Sequence, residues 1–355
     1  MTLRPWGEVP YLAILGMRPA EMRALEELPG QTKDALLPMV PLRPWVGAHY
    51  LESAQERIVQ SYGERPIVVS VGEREVPKKR PVFAELEALR DPSRGFRNWC
   101  DFIEDNGSYI PTAQIGVNPN EELIQFAQLH ALGRGLVVHL ERPTFPNLHI
   151  ISGMIGGMTN GGLGVCFILD FGTASADHLH VAALTVGYIE ALLNHSPNAH
   201  VSISASSFPS SFSNITGQPI YERRLFNEVA MQVALGRLIY SDRGSARAEQ
   251  LSGGSGVIPA RIDYPLFDDW LFFRSDEAGF DGYVEQAQVL QTSEFWNADL
   301  RVWGTQMIER TARGDHSAID TPLKATAARI NLHLQMQAFY GDMDDAQDTE
   351  EDWDG

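Results

Sequence analysis

VCFILDFG (165–172), HLHVAALTVGYIEALLNH (178–195) and HVSISASSFP (200–209) follow one another near the middle of the chain. The first and third are short runs rich in apolar and β-branched residues, and the second repeats its apolar residues at helical spacing. That order is a strand–helix–strand unit. Its strands read as near-continuous apolar runs, the pattern of a parallel sheet covered on both faces.

The same rhythm extends outward in both directions. YLAILGM (11–17), LLPMVPL (36–42), PIVVSVG (66–72), YIPTAQIG (109–116) and GLVVHLE (135–141) precede the central unit, and RLIYSDRG (237–244) follows it. Helical patterns such as PAEMRALEEL, NEELIQFAQLHALG and YERRLFNEVAMQVALG lie between them. Eight such runs predict an α/β fold with a TIM-like (β/α)8 barrel over residues 1–250. An open parallel α/β sheet is the alternative if one run is misread. After residue 244 the rhythm stops. ARIDYPLFDDWLFFR (260–274) suggests one or two strands, and helical patterns over 281–291, 296–314 and 321–341 predict a mostly helical C-terminal lobe, 251–341, packed on the barrel. RAEQLSGGSGVIPA (247–260) is the most flexible-looking stretch.

The formal net charge is −18, and eight acidic residues stand in the tail 342–355, which reads as a solvated, disordered end. That balance argues against bulk nucleic-acid binding through phosphate neutralisation. No run approaches the roughly 18 apolar residues of a membrane span, and the N-terminus lacks the apolar core of an export signal. The expectation is a cytoplasmic protein, not bound to membranes, with Cys100 and Cys166 as buried free thiols.

Asp170, Phe171 and Gly172 spell the Mg²⁺-binding tripeptide of protein kinases. No Gly-rich loop with a strand lysine and no H-R-D loop precede it, so the spelling is coincidence. GMIGGMTNGGLG (153–164) lacks the Gly-Lys-Ser/Thr ending of a phosphate loop and precedes a strand, so it reads as a flexible helix-to-strand connection. Asp177, His178 and His180 admit two readings: a Zn²⁺ or Mn²⁺ site, or an N-cap aspartate with surface histidines. No HExxH and no Cys–His spacing occurs. No metal ligands are assigned, and a divalent metal cofactor stays open without a motif.

In a (β/α)8 barrel the C-terminal strand ends and the loops after them build the site. Those positions hold Arg18, Arg43, Gln114, His139, Glu141, Arg142, Asp170, Ser204, Ser206, Ser207, Asp242 and Arg243. Asp170 and Asp242 are the candidate catalytic acid and base. Arg18, His139, Glu141, Arg142, Ser207 and Arg243 are candidate ligand groups for a small phosphate- or carboxylate-bearing molecule, which guanidinium binds bidentately. The other reading is an ion network in which these residues pair with one another and close the mouth.

YLAILGMRPAEMRALEEL followed by LLPMVPL, then ILDFG, SASSFP, LIYSDRG, IPARIDYPLFDDWLFFR, WGTQMI and ARINLHL, resembles in its order the phage T4-type beta protein family ("beta family protein") over nearly the whole chain. Within that resemblance Glu21, Asp170, Ser207, Phe208, Pro209 and Asp242 match the family pattern, which adds Glu21 to the candidate ligand groups. Elsewhere the chain departs from it. Gly16 and Arg18 stand for two lysine-type residues, Pro41 for an acidic one, Ser70 for an aspartate and His139 for an arginine. Ser241-Asp242-Arg243-Gly244 stands for Gly-Asp-Tyr-Gly. The resemblance implies a phage or bacterial source and no particular chemistry. The first expectation is a ligand-binding or protein-interaction component of a phage-related or anti-phage defence system, with a protein partner encoded nearby. The alternative is a barrel enzyme acting on a phosphate-bearing substrate, a nucleotide or phosphodiester.

Overall fold

The structure, a computed structural model, describes residues 2–76, 79–233, 235–247 and 259–349. Most of the 247–260 loop and the last six residues of the acidic tail lie outside the described residues. The strands are β1 (Tyr11–Ile14), β2 (Leu36–Leu42), β3 (Ile67–Val71), β4 (Tyr109–Pro111), β5 (Leu136–Glu141), β6 (Val165–Thr173), β7 (His200–Ser206), β8 (Gly217–Pro219), β9 (Leu238–Asp242), β10 (Arg261–Pro265) and β11 (Asp269–Arg274). All eight apolar runs read from the sequence are strands of one sheet, in the order β4-β3-β2-β1-β9-β7-β6-β5. A parallel bridge between Thr112 and Val137 joins its two ends, with Ala113 N–H donating to Val137 O at 2.8 Å. The sheet is therefore a TIM-like barrel, and the open-sheet alternative falls.

The chain forms two compact units. The barrel belongs to the first, built from the described residues up to Met17 with Leu37–Ser206 and Tyr221–Arg243. Its interior begins with an apolar layer of Leu12, Ile14, Leu37, Met39, Val68, Ile110, Val137, Cys166, Ile168 and Ile239, which packs with Trp6 and Val9 of the N-terminal segment. Trp6 Nε1–H donates to Gly164 O at 2.8 Å, which satisfies the indole inside an otherwise apolar cluster. Because side chains alternate along a strand, the same rows run on toward the C-terminal ends as residues 139 and 141 on β5, 170 on β6, 202 and 204 on β7, and 241 and 243 at β9. Apolar residues thus fill the lower barrel, and polar ones fill the upper.

The second unit draws on Arg18–Leu36, Ser207–Ile220 and the described residues from Gly244 onward, so it recruits two segments from outside 251–341. β8, β10 and β11 form an antiparallel sheet, and β8 supplies its third strand from a stretch to which the sequence pattern assigns no element. The helix Pro322–Ala338 is buried on every face from Ala327 onward. Its polar residues are satisfied one by one, as burial requires. Asn331 donates to Ala24 O at 3.0 Å and accepts from Gly304 N–H at 2.9 Å, Gln337 donates to Phe267 O at 2.9 Å, and Arg329 pairs with Asp263 at 2.9 Å. Within the acidic tail, Met343–Gln347 is a helix whose N-cap, Asp342, accepts from Asp345 N–H. Acidic residues suit the positive end of a helix, so the composition that suggests disorder also caps a turn. Both cysteines are buried free thiols, as their apolar settings imply.

Candidate functional site

Asp170 stands on β6 where the apolar layer gives way to the polar one, and it is 1% exposed. Its Oδ2 accepts from His139 Nε2–H at 2.8 Å and from Arg243 Nη2–H at 2.5 Å. Its Oδ1 accepts from Gly172 N–H at 2.8 Å. Gly172 has a φ of +67°, a conformation that favours glycine, so the Asp-Phe-Gly spelling encodes a turn that closes on its own aspartate. Burial pushes the Asp170 carboxyl up, but the hydrogen bond and charge of His139, the Arg243 charge and the Gly172 N–H together hold it below its ordinary value. Asp170 is therefore an anion inside the barrel, with side-chain partners from the adjacent β5 and from the end of β9, one strand beyond β7.

Around it lie hydroxyls with nothing to bond. Ser202, Ser204 and Ser241 are 0% exposed and Thr112 is 5% exposed. The Oγ of each serine, Thr112 Oγ1 and Arg243 Nε have no hydrogen-bond partner among the described residues. Ser204 is the register partner of Asp170, and Ser202 that of Ile168, so both serines share Asp170's row. A buried hydroxyl without a partner costs about 1–3 kcal/mol, and these lie on the inward rows of three strands. Such a layer suits a polar ligand or water that accepts from the hydroxyls and from Arg243.

Asp242 does not join this set. It is 0% exposed and alternates to the opposite face of β9, where its carboxylate accepts from Tyr11 OH at 2.5 Å and Tyr240 OH at 2.9 Å. Burial, then the nearby Asp242 charge, pushes both phenols well above their ordinary value. The Arg223 guanidinium lies 3.2 Å from the Tyr240 ring centroid. This is a closed network between sheet and helix, with no opening to a substrate.

The other candidates scatter. Glu141 is exposed at the end of β5 and is the register partner of Asp170. Arg142 lies 5.9 Å over Phe171 and lines a separate cavity of about 320 Å³ with Phe145, Phe171 and Tyr188. Arg43 pairs with Glu75, and Gln114 donates to Leu89 O, so both hold loops in place. Arg18, Glu21 and Ser207 belong to the second unit, where Arg18 approaches Glu21 at 3.9 Å and Ser207 O accepts from Gln218 Nε2–H. In the D-H-x-H stretch His180 is exposed, but the N-cap of the turn is Ser175 and not Asp177, and His178 is not on the surface. His178 is 5% exposed, packs edge-on to Phe171 at 5.0 Å, and its Nε2 has no partner among the described residues. Burial, then the Arg142 charge, pushes its pKa down to about 4.

Among the described residues, the His/Cys/Asp/Glu group able to hold a metal is instead His139, Glu141 and Asp170. The candidate list missed Thr112, Ser202 and Ser241. For Ser202 a signal was present: alternation in HVSISAS sets Ser202, Ser204 and Ser206 on one face.

A family model described as "Beta protein" matches residues 11–339. Over 337 residues, 92% of this chain and 92% of the relative, the sequence is 27% identical to "Protein beta" of Enterobacteria phage P4. The relative is a P4 protein, so the T4 label in the resemblance needs that correction. With the match running from the first barrel strand to the end of the long buried helix, the chain belongs to the Beta protein family.

Proposed function

We propose that the chain is a ligand-binding component of a phage-related or anti-phage defence system, acting in the cytoplasm with a protein encoded nearby. Its ligand is a small molecule bearing a phosphate or carboxylate, held at the C-terminal mouth of the barrel. One observation carries this reading: a buried, charged Asp170 clasped by His139 and Arg243, in a barrel interior with buried hydroxyls that have no partner among the described residues. A purely structural ion network has no need of orphaned hydroxyls on adjacent inward rows. The phage P4 relative supports the phage setting.

The enzyme reading draws on the same geometry. A carboxylate that orients an imidazole beside a guanidinium is a set able to move a proton on a phosphate-bearing substrate. In that case Asp170, His139 and Arg243 carry it, and Asp242 does not.

The test is thermal unfolding of the full chain against nucleotides, sugar phosphates and small carboxylates, alongside Arg243→Gln. A ligand that raises the wild-type Tm and leaves that of Arg243→Gln unmoved supports the reading. A compound that stabilises both equally contradicts it, as does a panel without effect.

A further inference from the structure

The ends of β5 and β6 carry a donor set with its own chemistry. His139, Glu141 and Asp170 each present a ligand atom, and these atoms lie within 4.8 Å of one another. Alternation sets His139 and Glu141 on one face of β5, and register sets Glu141 beside Asp170. One imidazole nitrogen with two carboxylates suits a divalent cation such as Mn²⁺ or Zn²⁺. A second observation is independent of these three residues. Ser204, the register partner of Asp170 on its other side, is 0% exposed, and its Oγ lacks a partner among the described residues. A water or anion on the metal would give that hydroxyl its missing bond.

Arg243 is the competitor. Its Nη2 donates to Asp170 Oδ2, the oxygen that also accepts from His139. The two carboxylates bring two negative charges, which a divalent cation matches without the Arg243 guanidinium. We propose that His139, Glu141 and Asp170 form a divalent-cation site whose occupation displaces Arg243 from Asp170 and frees its guanidinium for an anionic ligand. Cation and anion then bind in order: the metal takes the carboxylates, and the anion bridges the metal and Arg243. This deepens the barrel-mouth reading and rests on it.

Titration calorimetry on the full chain, stripped with chelator, tests the site with Mn²⁺, Zn²⁺ and inorganic phosphate. Wild type should bind one cation, and phosphate should bind the loaded protein at least about tenfold more tightly than the stripped one. His139→Gln and Glu141→Gln should each weaken the cation by at least about tenfold. Arg243→Gln should bind the cation as tightly or more tightly, and lose the phosphate. Glu141 is exposed, so its variant keeps the proposal testable if the His139 variant fails to fold. Cation binding unchanged in the Gln variants, as for a site in the acidic tail, overturns the proposal. Phosphate binding to stripped protein, abolished in Arg243→Gln and indifferent to cations, overturns the metal site and leaves the barrel-mouth reading standing. Binding of neither probe overturns the metal site too, while the panel of organic ligands decides the mouth separately.

Discussion

Asp170 and Asp242 look alike in the sequence, each at the end of an apolar run, and they differ in what they face. Asp170→Asn leaves His139 and Arg243 beside a neutral amide. Each of those side chains keeps about a fifth of its exposure, so the loss should be about 2–3 kcal/mol, under the cost of breaking a fully buried pair. Asp242→Asn should also destabilise, by disrupting the two tyrosine hydrogen bonds, but it should leave ligand binding at the mouth unchanged. Chemical denaturation paired with a binding assay separates the two: loss of binding in both variants would contradict the assignment. Acid carries a further signature. The folded-state pKa of Asp170 is depressed, so its stabilisation is full above the ordinary carboxyl range and fades as pH falls below about 4.

His178 acts earlier on the way down. Its folded pKa of about 4 lies below the ordinary 6.5, so the unfolded chain takes up the proton first and stability falls between those values. By pH 5 that loss is about 2 kcal/mol, and His178→Phe should remove it while keeping the packing against Phe171. Urea unfolding at pH 8 and pH 5 measures it. A variant whose stability falls as steeply as wild type would show that another group is responsible.

At the scale of elements, the glycine-rich stretch was misleading. Leu148–Met158 is a helix, so only 159–164 is the connection to the next strand, and Gly156 within the helix serves close packing. A Cβ on Gly156 would collide with the backbone carbonyl of His195, on the neighbouring helix Ala182–His195. Ser152 Oγ–H donates to Leu192 O, and Ser196 Oγ–H to Ser152 O, across the same contact. Gly156→Ala should therefore cost about 3 kcal/mol, the upper end of overpacking, where helix propensity alone would make it stabilising. A raised Tm would contradict the close approach. The strands were legible because each is a continuous apolar run, which only a covered parallel sheet requires. β8 was not, since Gly-Gln-Pro has no strand pattern and its place depends on β11. The site was half legible. His139, Glu141, Asp170 and Arg243 announce themselves by charge at strand ends and Ser202 by alternation, whereas Thr112 and Ser241 are unremarked until burial leaves them without partners among the described residues.

For the whole molecule, the barrel explains why the functional groups gather at one end. Its lower interior is saturated with apolar side chains, so polarity collects at the C-terminal mouth. That mouth sets the Arg243 guanidinium beside Asp170, so an anion bound there meets a positive group in a chain of net charge −18. If the layer is a ligand site, its free hydroxyls are a stability cost kept for binding. The most direct test is the Tm of the Ser204→Ala/Ser241→Ala double variant, with and without a ligand that stabilises the wild type. The account predicts an unchanged or higher Tm for the free variant, and loss of the ligand-induced rise. A variant several degrees less stable than wild type, with the ligand response intact, would contradict it.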